Sequence, residues 1–351
     1  MKNLSSENPC SKPLLRRGGG YRQSSRFLNL APSVWTESRA FTMAEILLSL
    51  TIIGVVAAIT LPSLTGNINE RTWNTQRKAL YARFSQALAL MPSLSGYGTY
   101  QLEDAENSIS AEDTAAETFV TDGLSKVMKI NNICDSEHME DCGIVNSYTN
   151  LAGSQHTWPT KLSELNNLFI EAYEWTQNPQ SYINTKAAAF ETQNGESIAV
   201  YYNPQCQADM GETGWHYSQP KMCANFIYDL NGTKGPNTVG KDIGFITALY
   251  PSDPIVVAPM PLTQDISGKA QSLAGKACTE MDSESRVPNR DELSAMFYNR
   301  DLIGILPEYY WSSSIIFINN TKKAWFLLLS NGTRNVGNLT GANYVVRCIK
   351  R

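Results

Sequence analysis

The chain has 351 residues, of which 42% are hydrophobic and 18% are charged, a composition typical of a folded protein rather than a disordered one. Its net charge is −4, but residues 1–40 hold seven basic side chains against two acidic ones. From residue 41 onward, 22 basic and 31 acidic residues give a net charge of −9. Because binding to phosphates needs a basic surface, we expect no nucleic-acid partner.

Residues 1–40 are rich in Ser, Arg and Gly and predict a leader that is removed from the mature protein. Residues 46–69 carry no charge, and their apolar core, residues 46–61, is long enough to span a bilayer. The basic residues before it favour an N-terminus that stays in the cytoplasm. The sequence therefore predicts a transmembrane segment at residues 41–64.

An amphipathic pattern follows the apolar run. Trp73, Leu80, Phe84, Leu88 and Met91 recur at helical spacing and form one apolar stripe. Residues 41–92 are therefore predicted to form one long helix whose second half lies on a globular domain. Pro62 is expected to bend this helix, because proline lacks a backbone donor and crowds the preceding turn.

A carboxylate at the start of an apolar helix needs a partner, since an unpaired charge is costly in apolar surroundings. Glu45 stands at this place, four residues after Phe41. If the chain is cut between Ala40 and Phe41, the new α-amino group of one subunit can pair with Glu45 of its neighbour. Such a pair would neutralise both charges inside a bundle of helices and set the axial register.

The segment from Ala40 to Pro62 resembles the type IV prepilin signature, which has a basic leader, Phe-Thr, an apolar residue, any residue, Glu and about twenty apolar residues. The resemblance implies that a prepilin peptidase cuts between Ala40 and Phe41 and N-methylates Phe41. It also implies assembly with other pilin subunits through Glu45 and Pro62. The precursor would lie in the bacterial inner membrane as a single-pass protein, and the mature protein in an extracellular pilus or periplasmic pseudopilus.

Residues 93–250 are predicted to form a globular head with an antiparallel sheet. Strands at residues 187–191 and 197–202 flank Asn194 and Gly195, a strong hairpin signal. Residues 224–230 and 244–249 predict two more strands. The following segment 251–262 is rich in proline and is predicted to be a linker.

Residues 229–242 cluster oxygen-bearing side chains with glycines, and Asp229, Asn231, Asn237 and Asp242 are the candidate calcium ligands. No Glu completes an EF-hand. The segment resembles a loop in the head of many bacterial pilins and pseudopilins, some of which hold calcium there. The alternative is a tight turn stabilised by Asx hydrogen bonds, with no metal. Calcium is the one candidate cofactor, and both interpretations stay open.

Residues 263–351 contain several separated motifs that follow one another in the expected order, including Arg286 to Leu293, Tyr310 to Ser314 and Val346 to Cys348. They resemble the C-type-lectin-like C-terminal domain of collagen-like bacterial adhesins. The resemblance implies a module that binds a surface glycan or protein and a disulfide between Cys278 and Cys348. Trp311 and Trp325 are more typical of a core than of a ligand platform.

The chain has seven cysteines, and the six that remain once the leader with Cys10 has been removed suit an oxidising compartment. Pairing nearest neighbours joins Cys134 to Cys142, Cys206 to Cys223 and Cys278 to Cys348. Fifteen connectivities are compatible with six cysteines, so the sequence alone does not choose among them.

The predicted fold class is α+β: a long N-terminal transmembrane helix packed on an antiparallel-sheet pilin head, followed by the lectin-like α+β module. No organised nucleophile and base are visible, so no enzyme is expected. The function predicted is a pilin-like filament subunit, of the minor or adhesive kind. The alternatives are a type II secretion pseudopilin and a membrane-anchored lectin-like adhesin that does not polymerise.

Overall fold

The computed structural model describes residues 42–94, 114–165, 185–203, 222–249, 255–330, 332–340 and 344–350, with the backbone alone at residues 59–69, 92–94 and 255. The chain divides into two compact units, Met1–Thr60 and Leu61–Arg351. The described part of the first unit consists of Thr42 and the beginning of helix α1.

The helices are α1 (Met43–Leu94), α2 (Ala115–Thr118), α3 (Leu162–Leu165), α4 (Gln271–Met281), α5 (Arg290–Tyr298) and α6 (Arg300–Ile303). The strands are β1 (Ile130–Cys134), β2 (Ser147–Thr149), β3 (Gln155–Thr157), β4 (Ala188–Thr192), β5 (Ser197–Tyr202), β6 (Met222–Asp229), β7 (Ile243–Leu249), β8 (Ile255–Val257), β9 (Met260–Lys269), β10 (Ser285–Arg286), β11 (Tyr309–Ile318), β12 (Thr321–Leu328), β13 (Arg334–Asn338) and β14 (Tyr344–Lys350).

These strands form two six-stranded sheets and one small pair, β2 with β3. The first sheet has the order β1-β4-β5-β6-β7-β8, and all of its neighbouring strands are antiparallel. The second has the order β10-β14-β11-β12-β13, with β9 paired to β14. The predicted hairpin is confirmed, because β4 and β5 pair across a turn in which Gly195 has a φ of 84°.

The structure corrects the predicted fold class. Among the described residues, which leave out the side chains of residues 59–69, no helix is long and apolar enough to cross a membrane. The transmembrane helix predicted at residues 41–64 and the localisation as a single-pass inner-membrane precursor are therefore not supported. Apart from α1, the described helices are short, and outside α1 more of the described residues lie in strands than in helices.

The first sheet is covered on both of its faces. Every residue of β5 and β6 is buried, so these strands show no alternation of apolar and polar residues. On one face lies the second half of α1, where Phe84 contacts Phe190 and Phe226 at ring-centroid distances of 6.4 and 4.8 Å. Leu80 and Leu88 are fully buried in the same cluster.

The opposite face of the first sheet packs against the C-terminal part of the chain. One apolar cluster joins Ile227 and Phe245 of the first sheet to Met296 of α5 and to Leu327 and Ile349 of the second sheet. The predicted head and the predicted C-terminal module therefore share a core.

A buried polar network crosses the same junction. The amides of Asn225 on β6 and Asn299 at the end of α5 exchange two hydrogen bonds, of 2.9 and 3.0 Å. The Thr247 hydroxyl donates to Asn225 Oδ1 at 2.6 Å. Because buried polar groups are costly unless they are paired, this network favours a single docking of the two parts.

The segment 251–262, predicted to be a linker, contains regular structure. Strand β8 extends the first sheet and β9 begins at Met260 in the second sheet. Pro261 lies on β9, opposite Ile349 of β14. Among the described strands, β9 pairs with β14 alone. An edge strand tolerates proline because its missing N–H can face away from the sheet.

Two of the three predicted cysteine pairs are present as disulfides, Cys134 to Cys142 and Cys278 to Cys348. Cys223 is disulfide-bonded as well. Cys206, its predicted partner, lies outside the described residues. The Cys278–Cys348 bond joins α4 to β14 within a small core that also contains Trp311 and Phe326.

Replacing Cys278 and Cys348 together with alanine should lower the free energy of unfolding by about 4 kcal/mol, against about 2.5 kcal/mol for Cys134 and Cys142, because the constraint on the unfolded chain grows with loop length. The sequence separations are 70 and 8 residues. Urea unfolding of the two full-length double variants measures both losses. A larger loss for the shorter loop would contradict this account.

Candidate metal centre

The candidate calcium loop connects two paired strands of the first sheet. Strand β6 ends at Asp229 and β7 begins at Ile243, and these two residues lie opposite each other in the antiparallel ladder. The loop between them uses left-handed backbone conformations at Gly232, Asn237 and Gly240, with φ values of 62°, 50° and 85°. Glycine and asparagine adopt such conformations most readily, so the sequence suits this tight path.

Asp242 orders the loop from inside. Its side chain is fully buried, and its two oxygens accept the backbone N–H groups of Asn237 and Thr238 at 2.8 Å each. Its backbone carbonyl accepts the N–H of Leu230 at 3.0 Å. These contacts agree with the turn that the sequence predicts, in which short polar side chains bind the local backbone.

Three other oxygens of the loop are buried without a hydrogen-bond partner among the described residues. They are Asp229 Oδ2, Asn231 Oδ1 and Asn237 Oδ1. The described part of the chain has six such buried side-chain atoms, so half of them are oxygens of predicted calcium ligands. Buried polar atoms are normally paired, and their concentration in one loop needs an explanation that the turn alone does not give.

The electrostatics of the loop favour a cation. The pKa of the Asp229 carboxyl is raised to about 7, mainly by burial and in smaller part by the neighbouring Asp242 charge. Hydrogen bonds from the backbone of Asn231 and Gly232 oppose this rise. Neither carboxylate forms an ion pair within the described residues, so the two repel each other, and a divalent cation would reverse that cost.

The donor set fits Ca²⁺, which prefers carboxylate and amide oxygens. Asp229, Asn231 and Asn237 would hold the ion, and Asp242 would fix the loop around it. In the described residues, no group of three or more His, Cys, Asp and Glu side chains is placed to hold a metal; this set has two carboxylates and two amides. Calcium at this loop stays a prediction.

Sequence reasoning missed Arg77, which ties helix α1 to the same loop. Its guanidinium donates from Nη2 to the carbonyls of Gly240 and Lys241 at 3.1 and 2.8 Å. Arg77 lies within the apolar stripe, between Trp73 and Leu80, and is buried. The signal in the sequence that points to Arg77 is a charged residue on an otherwise apolar helix face.

The N-terminal site residues are described in part. Ala40 and Phe41 lie outside the described residues, and Pro62 lies within α1, which continues through it. Glu45 closes a capping box, since its Oε2 accepts the N–H and the hydroxyl of Thr42 at 2.9 and 3.0 Å. These hydrogen bonds lower the pKa of the exposed Glu45 carboxyl.

The candidate ligand residues of the C-terminal part are mostly structural. Trp311 is fully buried, and its indole N–H donates to the Lys269 carbonyl at 3.0 Å. Trp325 is 7% exposed. Arg286 pairs with Glu292, with Nη2 and Oε1 2.5 Å apart. The two tryptophans are therefore poor stacking platforms for a sugar.

No protein-family model, curated protein or solved structure matches this chain. The resemblances to pilins and to lectin-like modules rest on the sequence motifs, and the functions that they imply remain proposals.

Calcium should stabilise the full-length chain by about 2.7 kcal/mol at 100 times its Kd. Asp229→Asn should abolish this calcium effect, yet leave the metal-free protein at least as stable, because a neutral amide avoids the cost of a buried charge. Thermal unfolding with and without calcium measures both effects.

Asp301→Asn is the matched control, because the Asp301 side chain is half exposed and lies outside the loop. It should keep the full response to calcium. If the wild-type chain shows no response up to about 10 mM calcium, well above the Kd of extracellular calcium modules, the loop is a turn without metal.

Proposed function

We propose that this chain is a pilin-like filament subunit, of the minor or adhesive kind, that is cut between Ala40 and Phe41 and methylated at Phe41. Subunits then assemble into a fibre through their N-terminal helices. The observation that carries this proposal is the exposure of the apolar residues at the beginning of α1.

Eight large apolar side chains between residues 46 and 56 are 47–64% exposed: Ile46, Leu47, Leu48, Leu50, Ile52, Ile53, Val55 and Val56. They succeed one another along the helix, so they cover its whole circumference rather than one stripe. A helix that is apolar all round is stable when it is buried. Equivalent helices of other copies supply a matching apolar surface, and this supports assembly into a bundle.

Glu45 gives such a bundle a register. Both of its described side-chain hydrogen bonds use Oε2, so Oε1 can accept from a neighbour without loss of the cap. The proposed donor is the α-amino group of Phe41 in the adjacent subunit. The lowered pKa of Glu45 keeps this carboxyl ionised, as an ion pair requires.

A secretion pseudopilin is the second candidate, because its helix would assemble in the same way. The three unpartnered oxygens of loop 229–242 agree with either candidate, since this loop resembles one in pilins and pseudopilins, some of which hold calcium. Loss of surface fibres on gene deletion supports the pilus, and loss of export of a secreted protein supports the pseudopilus.

Glu45→Gln separates the charge of Glu45 from its role as a cap. Glutamine also closes a capping box but cannot form an ion pair. We expect Glu45→Gln and Glu45→Ala to be cleaved and methylated normally at Phe41, and both to lose at least tenfold in fibre yield. Mass spectrometry of the mature N-terminus and electron microscopy of fibres measure these results.

The matched control is Ser49→Ala, which removes a hydroxyl bonded only to the local backbone at the Ile46 carbonyl in the described structure. It should assemble like the wild type. Normal fibre yield in Glu45→Gln would show that the charge pair is not needed. An intact leader in the wild-type fibre or cell would contradict the whole proposal.

A further inference from the structure

Arg77 is a buried cation with incomplete hydrogen bonding. Its side chain is 6% exposed on the inner face of α1. Nη2 donates to the two loop carbonyls of Gly240 and Lys241, and Nη1 donates to the Met260 sulfur at 3.2 Å. A thioether is a weak acceptor. Among the described residues, Arg77 Nε is buried and has no hydrogen-bond partner.

No carboxylate lies within ion-pair distance of this guanidinium in the described part of the chain. Burial lowers the pKa of Arg77, while the more distant Glu70 and Asp242 charges and the Tyr228 hydroxyl act in the opposite direction. Charges inside proteins are normally paired. An anion beside Arg77 would therefore be stabilised by the unpaired charge of the guanidinium.

A cavity of about 200 Å³ lies beside Arg77. Its polar lining includes the side chains of Tyr228 and Lys350. Its apolar lining includes Val239, Phe245 and Leu262. The cavity thus combines a buried cation with apolar walls, which is the usual composition of a site for a small organic ligand.

A second cavity of about 240 Å³ shares Arg77, Tyr228, Met260 and Lys350 with the first. Arg77 therefore belongs to the wall common to both. Each cavity is smaller than the roughly 300–1,000 Å³ of pockets for drug-sized molecules. The space suits a short chain with one charged end.

We propose that the cavity beside Arg77 is a binding site for a small organic carboxylate with an apolar tail. The carboxylate would pair with the guanidinium charge of Arg77 and lie near Lys350, and the tail would contact Phe245 and Leu262. Glu70 also lines the cavity, with its Oε1 3.9 Å from Lys350 Nζ. This nearby negative charge disfavours a doubly charged phosphate relative to a single carboxylate. The inference does not depend on the filament proposal.

Titration calorimetry on the full-length chain tests the site with four probes: hexanoate, hexanol, acetate and inorganic phosphate. Hexanoate should bind with one site per chain, at least tenfold more tightly than each of the other three. Hexanol has the tail without the charge, and acetate has the charge without the tail. Equal binding of hexanol, or of phosphate, would overturn the proposed chemistry.

Two variants locate the site. Leu262→Trp should fill the cavity from a partly exposed position and abolish hexanoate binding, while the Arg77 hydrogen bonds and the melting temperature stay unchanged. Leu273→Trp is the matched control, because Leu273 is 55% exposed on α4 and does not line the cavity. It should bind hexanoate like the wild type.

Arg77→Met removes the cation and should lower hexanoate affinity to that of hexanol. If this variant does not fold, Leu262→Trp decides the question alone. Unchanged hexanoate binding in Leu262→Trp, or no binding of hexanoate to the wild type, would show that the cavity is not this site.

Discussion

The described fold depends on covering a central sheet whose strands are apolar on both faces. Strands β5 and β6 are buried at every residue, so neither face can be left in water without a large loss of hydrophobic stabilisation. Helix α1 covers one face, and α5 with the second sheet covers the other. Each cover is further fixed by polar contacts: Arg83 pairs with Glu196 at 2.5 Å on the helix side, and Asn225 pairs with Asn299 on the other.

This constraint also places the two candidate sites. Both the calcium loop and the Arg77 cavity lie where α1 meets the β6–β7 connection, and Arg77 touches the loop through the carbonyls of Gly240 and Lys241. The two sites share this segment, so a substitution at one site is expected to affect ligand binding at the other. Helix α1 takes part in this core with its second half, while the apolar residues at its beginning remain exposed in the chain.

Local patterns predicted local structure well. The Asn194-Gly195 turn, the strands after it and the apolar stripe of α1 are present because turn chemistry and periodicity act over a few residues.

The sequence did not predict that the head and the C-terminal module share a core. No local pattern around Asn225 or Asn299 indicates that these two residues pair. The proline-rich segment 251–262 was predicted as a linker, but edge strands accept Pro261. The transmembrane prediction used the apolar run, the basic residues before it and the resemblance to prepilins, and it is not supported by the described residues. The candidate ligand residues of loop 229–242 are recognisable from their types and spacing, whereas the role of Arg77 is not, because its partners, the carbonyls of Gly240 and Lys241, lie far away in the sequence.

The central claim is that residues 46–56 are covered by other copies of this helix in a fibre. The most direct test places single cysteines at Leu50 and Ile53 and measures maleimide labelling in the purified subunit and in fibres isolated from cells, with Leu273→Cys as the exposed reference. The account predicts rapid labelling of all three in the subunit, and protection of positions 50 and 53 alone in the fibre. Equal labelling of positions 50 and 53 in subunit and fibre would contradict it.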